Sequence, residues 1–356
     1  MVHRDTVETY EQRWADYERT RPPTHAARAQ ALAARARVDG TSHVVADVGC
    51  GPGGCLAALG APVVGIDVAA AMLRRCRDVV PGALLVQADL EALPFRFGAL
   101  GGGWARNAYV HLPSHDLPMA LNELHRALAV NAPVEVSFVD GDGAEGIYPD
   151  AEVGDRYFAT WPAARLADVF AGAGFTVDAI EPGQPTFVRA RRARTLADTA
   201  GRGMRLLVCG LNPSVVSADV GSAFSGPSNR FWKAAIAAGA VTRARDPRHA
   251  LADHGVGMTD LVKRATPRSS ELGRAEYRAG AERVDRLVRW LAPAAVCFVG
   301  LEGWRAAFDR HASAGWQPAG IGGRPAYVMP STSGLNASSS LDDLAGHLRA
   351  ALLGPP

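Results

Sequence analysis

The chain has 356 residues, of which 48% are hydrophobic and 21% charged, and its formal net charge at pH 7 is +2. This length suits two domains of ordinary size, and the composition is that of a folded globular protein rather than a disordered one. No apolar run is long enough to cross a bilayer and no apolar N-terminal segment resembles a signal peptide, so we expect a cytoplasmic protein without membrane contact.

The cysteines are few and scattered. They are Cys50, Cys55, Cys76, Cys209 and Cys297. None forms a CxxC pair, so we expect neither a disulfide framework nor a zinc or iron–sulfur site, and we predict no bound metal.

Charge and composition change along the chain. From Gly203 onward there are 18 lysine and arginine residues against 12 acidic ones, whereas the preceding part is acidic overall. A basic excess suits a polyanionic partner, although an arginine-rich surface alone does not identify one. Residues 188–203 are basic and then small and polar, which is typical of a joint between domains. We therefore predict a first domain over residues 1–195, a linker over 196–203 and a second domain over 204–356.

In the first block, apolar runs alternate with helical patterns. The predicted helices cover residues 26–37, 69–77, 117–128 and 162–173. The predicted strands cover residues 43–48, 62–66, 83–87, 133–139, 175–180 and 186–189. Such alternation predicts an α/β fold with a mostly parallel sheet and helices on both of its faces.

The second block has the same alternation on a smaller scale. The predicted strands cover residues 205–209, 294–299 and 326–329. The predicted helices cover residues 231–238, 274–291, 303–308 and 341–353. The fold class predicted for the chain is therefore α/β, with two three-layer α/β/α domains.

A glycine-rich loop, VGCGPGG, ends the first predicted strand. Gly49, Gly51 and Gly53 let the backbone turn tightly and approach a ligand without a Cβ in the way. Asp67 ends the next strand, where a carboxylate can accept hydrogen bonds from two ribose hydroxyls, and Asp89 follows the third, where it can reach an adenine ring. A glycine loop and two acids at strand ends together indicate a nucleotide-type site.

With the further segments GIDVAAAML, QADLEALPF and NAYVHLP, the first block resembles the class I S-adenosylmethionine-dependent methyltransferases, which have a Rossmann-like fold. The resemblance covers nearly all of residues 1–195 and implies S-adenosylmethionine as cofactor. It implies that the glycine loop contacts the methionine part, Asp67 the ribose and Asp89 the adenine. Asp47 and Asn107 are further implied cofactor-binding residues.

The block departs from the family pattern at residues 96–113. This segment lacks the aspartate that usually begins the fourth strand and carries three successive glycines, so we expect a weakened fourth strand. The alternative to an active cofactor site is a fold kept for structure or partner binding. The sequence does not identify the methyl acceptor.

Four segments of the second block can be interpreted as a base-recognition site. They are GLNPS, AFSGPSNRFW, HGVGMTDLVKRATPRSSEL and YVMPSTSGLNASSSLDDL. A base in duplex DNA must leave the stack to be processed, and it then needs an aromatic face and hydrogen bonds. Phe224 can supply the face, and the amide of Asn212 can hold a water or a base edge. Taken singly, Asn212 is typical of a turn and Phe224 of a core, so the prediction depends on the ordered set.

The predicted DNA contacts are hydroxyls, cations and one apolar loop tip. Lys263, Arg264 and the serines and threonine of residues 331–333 can bind phosphate, and Leu335 can fill the gap left by an extruded nucleotide. The predicted DNA-binding residues are Lys263, Arg264, Ser331, Thr332, Ser333, Gly334, Leu335 and Asn336.

In this order the segments resemble the mismatch-specific uracil/thymine-DNA glycosylases of the uracil-DNA glycosylase superfamily, over about residues 204–352. The resemblance implies that Asn212 positions the hydrolytic water and that residues 331–336 grip phosphate and supply a wedge. It implies Phe224, Ser225 and Asn229 as base-binding residues, and double-stranded DNA with a G·U or G·T mismatch as partner. Ser214 stands where the family usually has glycine.

The predicted function is therefore hydrolysis of the N-glycosidic bond of uracil, and also of mismatched thymine, for base-excision repair, by a chain that also carries a methyltransferase domain. Because GLNPS holds no carboxylate, we expect the water to be positioned rather than strongly deprotonated, and turnover to be slow. Backbone amides near Phe224 and Ser225 would stabilise the leaving oxygen. The alternative is methyl transfer alone, with the second block a DNA-damage binding module.

Overall fold

The computed structural model describes residues 2–21, 24–37 and 44–356, which form two compact units. The first comprises Met1–Ala171 and Phe175–Ala193, and the second comprises Gly172–Gly174 and Arg194–Pro356. Each unit has a mostly parallel sheet between helices, so the α/β fold class is confirmed for both. His43, the first residue of the first predicted strand, lies outside the described residues. In the described part of the chain, no helix has the length and apolar character that a membrane span needs.

The first unit is a Rossmann-like sheet with one antiparallel edge. Its helices are α1 (Arg4–Thr20), α2 (Ala26–Ala36), α3 (Leu56–Leu59), α4 (Ala70–Val79), α5 (Leu117–Ala127) and α6 (Ala163–Gly172). Its strands are β1 (Val44–Val48), β2 (Val63–Asp67), β3 (Leu84–Gln87), β4 (Leu100–Arg106), β5 (Pro133–Asp140), β6 (Glu145–Tyr148), β7 (Arg156–Trp161), β8 (Phe175–Glu181) and β9 (Thr186–Arg192).

The strand order of this sheet is β3-β2-β1-β4-β5-β7-β6, and β9 pairs antiparallel with both β5 and β8. Strands β1 to β5 are parallel to one another. Their carboxyl ends, and the loops that follow, therefore meet at one edge of the sheet, where ligands bind in such folds.

The expectation of a weakened fourth strand is wrong. β4 pairs with β1 on one side and β5 on the other, and its residues 100–105 are buried. A Cβ on Gly102 would lie 3.0 Å from the Ala36 Cβ of α2, and one on Gly103 would lie 3.4 Å from the Leu124 Cδ1 of α5. Because successive strand residues face opposite sides of a sheet, the glycines let helices pack closely on both sides.

The second unit has a smaller sheet. Its helices are α7 (Val215–Val220), α8 (Phe231–Ala237), α9 (Pro247–His254), α10 (Arg274–Leu291), α11 (Leu301–Ala307) and α12 (Leu341–Leu353). Its strands are β10 (Leu206–Gly210), β11 (Val256–Asp260), β12 (Val296–Val299), β13 (Gly315–Trp316) and β14 (Ala326–Met329). The order is β11-β10-β12-β14-β13, and only the edge pair β13–β14 is antiparallel among the described strands of this sheet.

Two apolar layers cover the two faces of this sheet. Leu207 and Cys209 of β10 belong to the layer that contains Val284 and Val288 of α10. Leu206 and Val208 point to the other face, with the helices α8 and α12. The unit is thus a three-layer α/β/α fold, with the ends of β10, β11 and β14 at one edge.

Candidate active sites

A cleft of about 570 Å³ opens in the first unit at the carboxyl ends of β1, β2 and β4. Its walls include Tyr10, Tyr17, Gly49, Gly51, Asp67, Arg106, Asn107 and His111.

The three loop glycines all have positive φ angles, +74° at Gly49, +53° at Gly51 and +92° at Gly53. A Cβ on Gly49 would collide with Ala108, and one on Gly53 would come within 2.7 Å of the Cys76 Sγ. A Cβ on Gly51 would meet nothing within 4 Å. Gly49 and Gly53 therefore serve close packing, whereas Gly51 leaves the backbone open to a ligand in the cleft.

Two carboxylates flank this loop, the half-buried Asp67 and the buried Asp47. Asp67 Oδ2 accepts a hydrogen bond from the Gly51 amide and Oδ1 one from the Ala69 amide, each 2.9 Å long. Burial raises the pKa of Asp67 to about 6, although these amides oppose the rise. Asp47 lines an adjoining opening with Gly49 and Gly51, and burial followed by the charge of Asp67 raises the pKa of Asp47 to about 7.

The other two predicted cofactor residues differ in placement. Asn107 lines the cleft with φ +51°, and its Oδ1 accepts a 2.8 Å hydrogen bond from the Ser137 hydroxyl. Asp89 accepts hydrogen bonds from the amides of Val2 and Glu91, and the cleft wall is formed by the residues on either side of it, Ala88 and Leu90. The side chain of Asp89 is therefore not brought to the cleft.

A tyrosine–histidine pair in the same cleft was not predicted. Tyr10 Oη lies 2.8 Å from His111 Nε2, and His111 Nδ1 lies 2.7 Å from the Tyr157 carbonyl oxygen. Since a carbonyl only accepts, Nδ1 carries the proton and Nε2 accepts from the Tyr10 hydroxyl. Burial lowers the pKa of His111 to about 4, so the ring is neutral near pH 7. His111 belongs to the segment NAYVHLP, which the sequence analysis had noted. Its partner Tyr10 lies on α1, about 100 residues earlier in the chain, so the pair was not visible in that segment.

The second unit has a cleft of about 590 Å³ at the ends of β10 and β11 and beside the loop after β14. It brings together residues from separate segments of the chain. Its walls include Asn212, Ser214, Ser217, Phe224, Asn229, Asp260, Ser333 and Gly334.

The amide of Asn212 has a fixed orientation. Its Nδ2 donates to the Arg264 carbonyl oxygen at 3.0 Å, to Thr266 Oγ1 at 2.8 Å and to the Pro213 carbonyl oxygen at 3.2 Å. Because carbonyl oxygens only accept, these partners require the nitrogen on that side. Within the described part of the chain no donor is bonded to Oδ1, so this oxygen can accept from a water or a base.

Phe224 forms an aromatic wall of the cleft. Its ring stacks on that of Phe231, with centroids 4.1 Å apart and planes inclined by 21°. Phe231 is buried, whereas Phe224 is half-buried and has φ +55°, a left-handed conformation. One face of the Phe224 ring therefore packs on the core, and the other is available to a planar ligand.

Ser214 and Ser225 belong to a chain of hydroxyl hydrogen bonds. Ser217 Oγ accepts from the Ser225 amide at 3.2 Å and from the Ser214 hydroxyl at 3.1 Å. Ser214 Oγ in turn accepts from the Ser217 amide and caps α7. The Ser225 amide is thus already paired within the fold and is not among the groups that line the cleft.

Asn229 lines the same cleft as Phe224, and the oxygen of its side-chain amide already accepts a hydrogen bond within the fold. Its Oδ1 accepts a 2.9 Å hydrogen bond from the Phe231 amide at the start of α8. The nitrogen Nδ2 is therefore the end of Asn229 that can meet a ligand.

The predicted DNA-binding loop, residues 331–336, is anchored by Arg230. Its guanidinium donates to the carbonyl oxygens of Ser339 and Asn336, each at 2.6 Å, and its amide donates to that of Thr332 at 2.9 Å. Asn336 Nδ2 donates to the Ser331 carbonyl oxygen at 2.7 Å. Leu335 at the tip is 96% exposed, so a fixed loop holds an apolar side chain in solvent.

The two predicted DNA-binding cations form ion pairs instead of lining the cleft. Lys263 Nζ lies 2.8 Å from Asp198 Oδ1 and is largely buried. Arg264 forms a pair with Glu276, at 2.7 and 2.9 Å. The structure therefore does not bring either side chain to the cleft.

Asp260 is a wall of the cleft that the sequence analysis missed. It is only 7% exposed, and a Cβ on the opposite residue, Gly210, would lie 2.5 Å from its Oδ1. Burial raises the pKa of Asp260 to about 6, against the lowering effect of Lys263. Among the described residues, no cluster of three or more histidine, cysteine and acidic side chains is arranged to hold a metal.

Family models match both parts of the chain. Residues 45–131 match the model of a methyltransferase domain. Residues 198–351 match that of the uracil DNA glycosylase superfamily. The two matched ranges follow one another along the chain without overlap, and both are families of enzymes.

Several solved structures are similar to the first part. One is an S-adenosylmethionine-dependent methyltransferase from Methanosarcina mazei, 15% identical with a TM-score of 0.39, covering 43% of this chain and 93% of that one. A second is from Mesorhizobium loti, 19% identical with a TM-score of 0.36, covering 45% of this chain and 100% of that one. A third is 1,6-didemethyltoxoflavin-N1-methyltransferase from Burkholderia thailandensis, 18% identical with a TM-score of 0.42, covering 53% and 86%.

The chain therefore carries a methyltransferase domain in its N-terminal half and a domain of the uracil DNA glycosylase superfamily in its C-terminal half.

Proposed function

We propose that residues 204–356 form a DNA glycosylase that hydrolyses the N-glycosidic bond of uracil in G·U-mismatched duplex DNA for base-excision repair, with thymine of a G·T mismatch as a second substrate. The observation that carries the proposal is a single cleft that joins Asn212, the stacked ring of Phe224 and the loop residues Ser333 and Gly334. A base outside the duplex needs such an aromatic face and polar partner.

The chemistry assigns a separate task to each group. The base lies against Phe224, and Oδ1 of Asn212 accepts a hydrogen bond from the water that faces the sugar carbon C1′. As the bond from C1′ to the base breaks, the base leaves as an anion and the sugar becomes electrophilic. Ser331 and Ser333 bind phosphate, Asn229 meets the base, and Leu335 occupies the gap in the stack. Thr332 was also predicted to contact DNA, but it is only 1% exposed and therefore does not reach phosphate.

We propose further that residues 1–195 bind S-adenosylmethionine and transfer its methyl group. The predicted linker, residues 196–203, packs as part of the second unit, since Asp198 and Ala200 are buried there. The glycine loop, Asp67 and Asn107 fit this cofactor because Gly51 leaves the loop open to the cleft and Asp67 lies at its wall. When bound, the cofactor supplies an electrophilic methyl group. Tyr10 and Tyr17 of α1 cover the cleft and limit the access of water.

Base release from labelled oligonucleotides tests the glycosylase proposal. The substrates are a G·U duplex, a G·T duplex and single-stranded uracil DNA, and the proteins are the parent, Asn212→Ala and the control Glu282→Ala, an exposed acid on α10. We expect release by the parent and the control and a large loss in Asn212→Ala. Equal release by the parent and Asn212→Ala contradicts the role of this residue.

Two further results distinguish the alternatives. Binding of abasic or G·U duplex by the parent without any base release favours a DNA-damage binding module instead of a glycosylase. Calorimetry with S-adenosylmethionine tests the first domain, and no heat above background contradicts cofactor binding there.

A further inference from the structure

Resting on the glycosylase function proposed above, we propose that Asp260 is a second catalytic residue of this cleft and takes the proton from the water that attacks the sugar. Neither family match nor the motif GLNPS assigns this role. The proposal changes the expected chemistry from a positioned water to a deprotonated one.

The first argument is the register of the sheet. Asp260, the last residue of β11, pairs with Gly210, the last residue of β10, and Asn212 follows two residues later. The chain leaves these neighbouring strands side by side, since the Leu261 amide donates to the Gly210 carbonyl oxygen and the Val262 amide to that of Leu211. Adjacent strands therefore bring the carboxylate and the amide to the same cleft.

The second argument is that the carboxylate is buried but has no bonding partner. Within the described residues no hydrogen bond reaches either carboxylate oxygen of Asp260, although its backbone carbonyl accepts a 2.7 Å bond from Arg283. A buried charge without a partner is destabilising, and such groups concentrate at functional sites. Its open side is the cleft, of which it forms a wall.

The third argument concerns the charges around it. Lys263 after β11, Arg283 on α10 and Asp198 before β10 act on this carboxyl. The neighbouring Cys209 of β10 is a neutral thiol, since burial and the charge of Asp260 raise its pKa. The two cations are held by Asp198, at 2.8 Å each, instead of forming ion pairs with Asp260. Burial raises the pKa of Asp260, the cations lower it and Asp198 raises it, which leaves it at about 6. The group is thus ionised at pH 7.5 and basic enough to accept a proton from water in the transition state.

The step balances as a hydrolysis. The water oxygen bonds to C1′, the bond from C1′ to the base nitrogen breaks, and its electron pair leaves on the base. One water proton passes to the Asp260 carboxylate and the other stays on the new sugar hydroxyl. Solvent then protonates the base anion, and Asp260 releases its proton to solvent.

Single-turnover excision from a G·U duplex tests the proposal, with Asp260→Asn against the parent and the control Asp219→Asn. Asp219 is a surface acid of the same domain that pairs with Arg194. We expect Asp260→Asn to lower the excision rate about 10²- to 10⁴-fold, the range of general-base catalysis. Its binding of abasic duplex should stay equal or become tighter, because the change removes a negative charge near DNA. Asp219→Asn should keep the parental rate.

The parent alone gives a second measurement that needs no folded variant. Its excision rate should fall as pH drops through about 6, because the Asp260 carboxylate is then protonated and no longer accepts a proton from water. A parental rate in Asp260→Asn, or a parent rate that is constant from pH 8 to 5, overturns the role of Asp260 and leaves the glycosylase intact. No release by the parent at any pH contradicts the glycosylase itself, and with it this inference.

Discussion

Replacement of Phe224 by alanine and by glycine separates the two roles that its position combines, catalysis and backbone conformation. Both changes remove the ring that faces the cleft. A base stacked on an aromatic side chain gains about 1–3 kcal/mol. Since each 1.4 kcal/mol is tenfold, we expect kcat/KM for uracil excision to fall about 5- to 150-fold in both variants.

The two variants should differ in stability. At φ +55° a residue with a Cβ is strained by about 1–2 kcal/mol, and Phe224→Gly relieves this strain whereas Phe224→Ala does not. Glycine gives back roughly 0.5–1 kcal/mol because it is more flexible in the unfolded chain. Phe224→Gly should therefore be more stable than Phe224→Ala by about 0.5–1 kcal/mol.

The assays are single-turnover excision from a G·U duplex and hydrogen exchange of the buried β10 amides in the full-length chain. Phe308→Ala is a matched control, since Phe308 is a partly exposed ring of the same domain that packs on Trp304 instead of lining the cleft. It should lose stability and keep the excision rate. Parental excision by both Phe224 variants refutes the stacking role, and equal exchange in the two refutes the strain argument.

Three further predictions concern other parts of the chain. The Cβ of Gly51→Ala meets no neighbouring protein atom and stands on the loop backbone that is open to the cleft, so it should weaken S-adenosylmethionine binding about tenfold by calorimetry. Its strain at φ +53° costs about 1–2 kcal/mol and should leave the first domain folded; unchanged affinity contradicts this. Arg230→Met removes two hydrogen bonds from a charged donor, each worth about 1.5–3 kcal/mol. Hydrogen exchange of the amides of residues 331–339 should therefore accelerate, and binding of abasic duplex should weaken. Unaltered protection of this loop would show that Arg230 does not hold it. The pKa of His111 is about 4 in the folded protein and about 6.5 in the unfolded chain, so on acidification the unfolded chain binds the proton first. The free energy of unfolding is therefore at its full value above pH 6.5 and falls by up to about 3 kcal/mol as pH decreases toward 4. His111→Gln should flatten the stability of the first domain over that range, measured by urea unfolding at each pH.

The fold was largely predictable because both sheets consist of short apolar runs separated by helical patterns. The exceptions are elements whose sequence is polar or glycine-rich. α1 is a mostly polar helix that covers a cleft through Tyr10 and Tyr17, and the hairpin of β6 and β7 is largely exposed on β6. The sequence predicts a weakened β4 because glycine has a low strand propensity. In the structure these glycines instead let helices pack closely on both faces of the sheet.

The sites were predictable where one segment carries the signal, as with the glycine loop and with Asn212 in GLNPS. They were not predictable where the partner is distant in the chain. Asp260 is identified by its pairing with Gly210, and Lys263 appeared free because its partner, Asp198, lies 65 residues away. Burial of an acid without a partner is likewise a property of the packed structure and not of the residue type.

Leu335 gives the proposed glycosylase a particular dependence on temperature. The side chain is 96% exposed in the free protein, so insertion into DNA would remove most of its apolar surface from water. Such burial lowers the heat capacity of the complex, and the attraction that it provides weakens on cooling. The contribution of Leu335 to the affinity for an opened duplex should therefore be larger in warm than in cold solution. Truncation of this leucine should make the enthalpy of abasic-duplex binding less dependent on temperature.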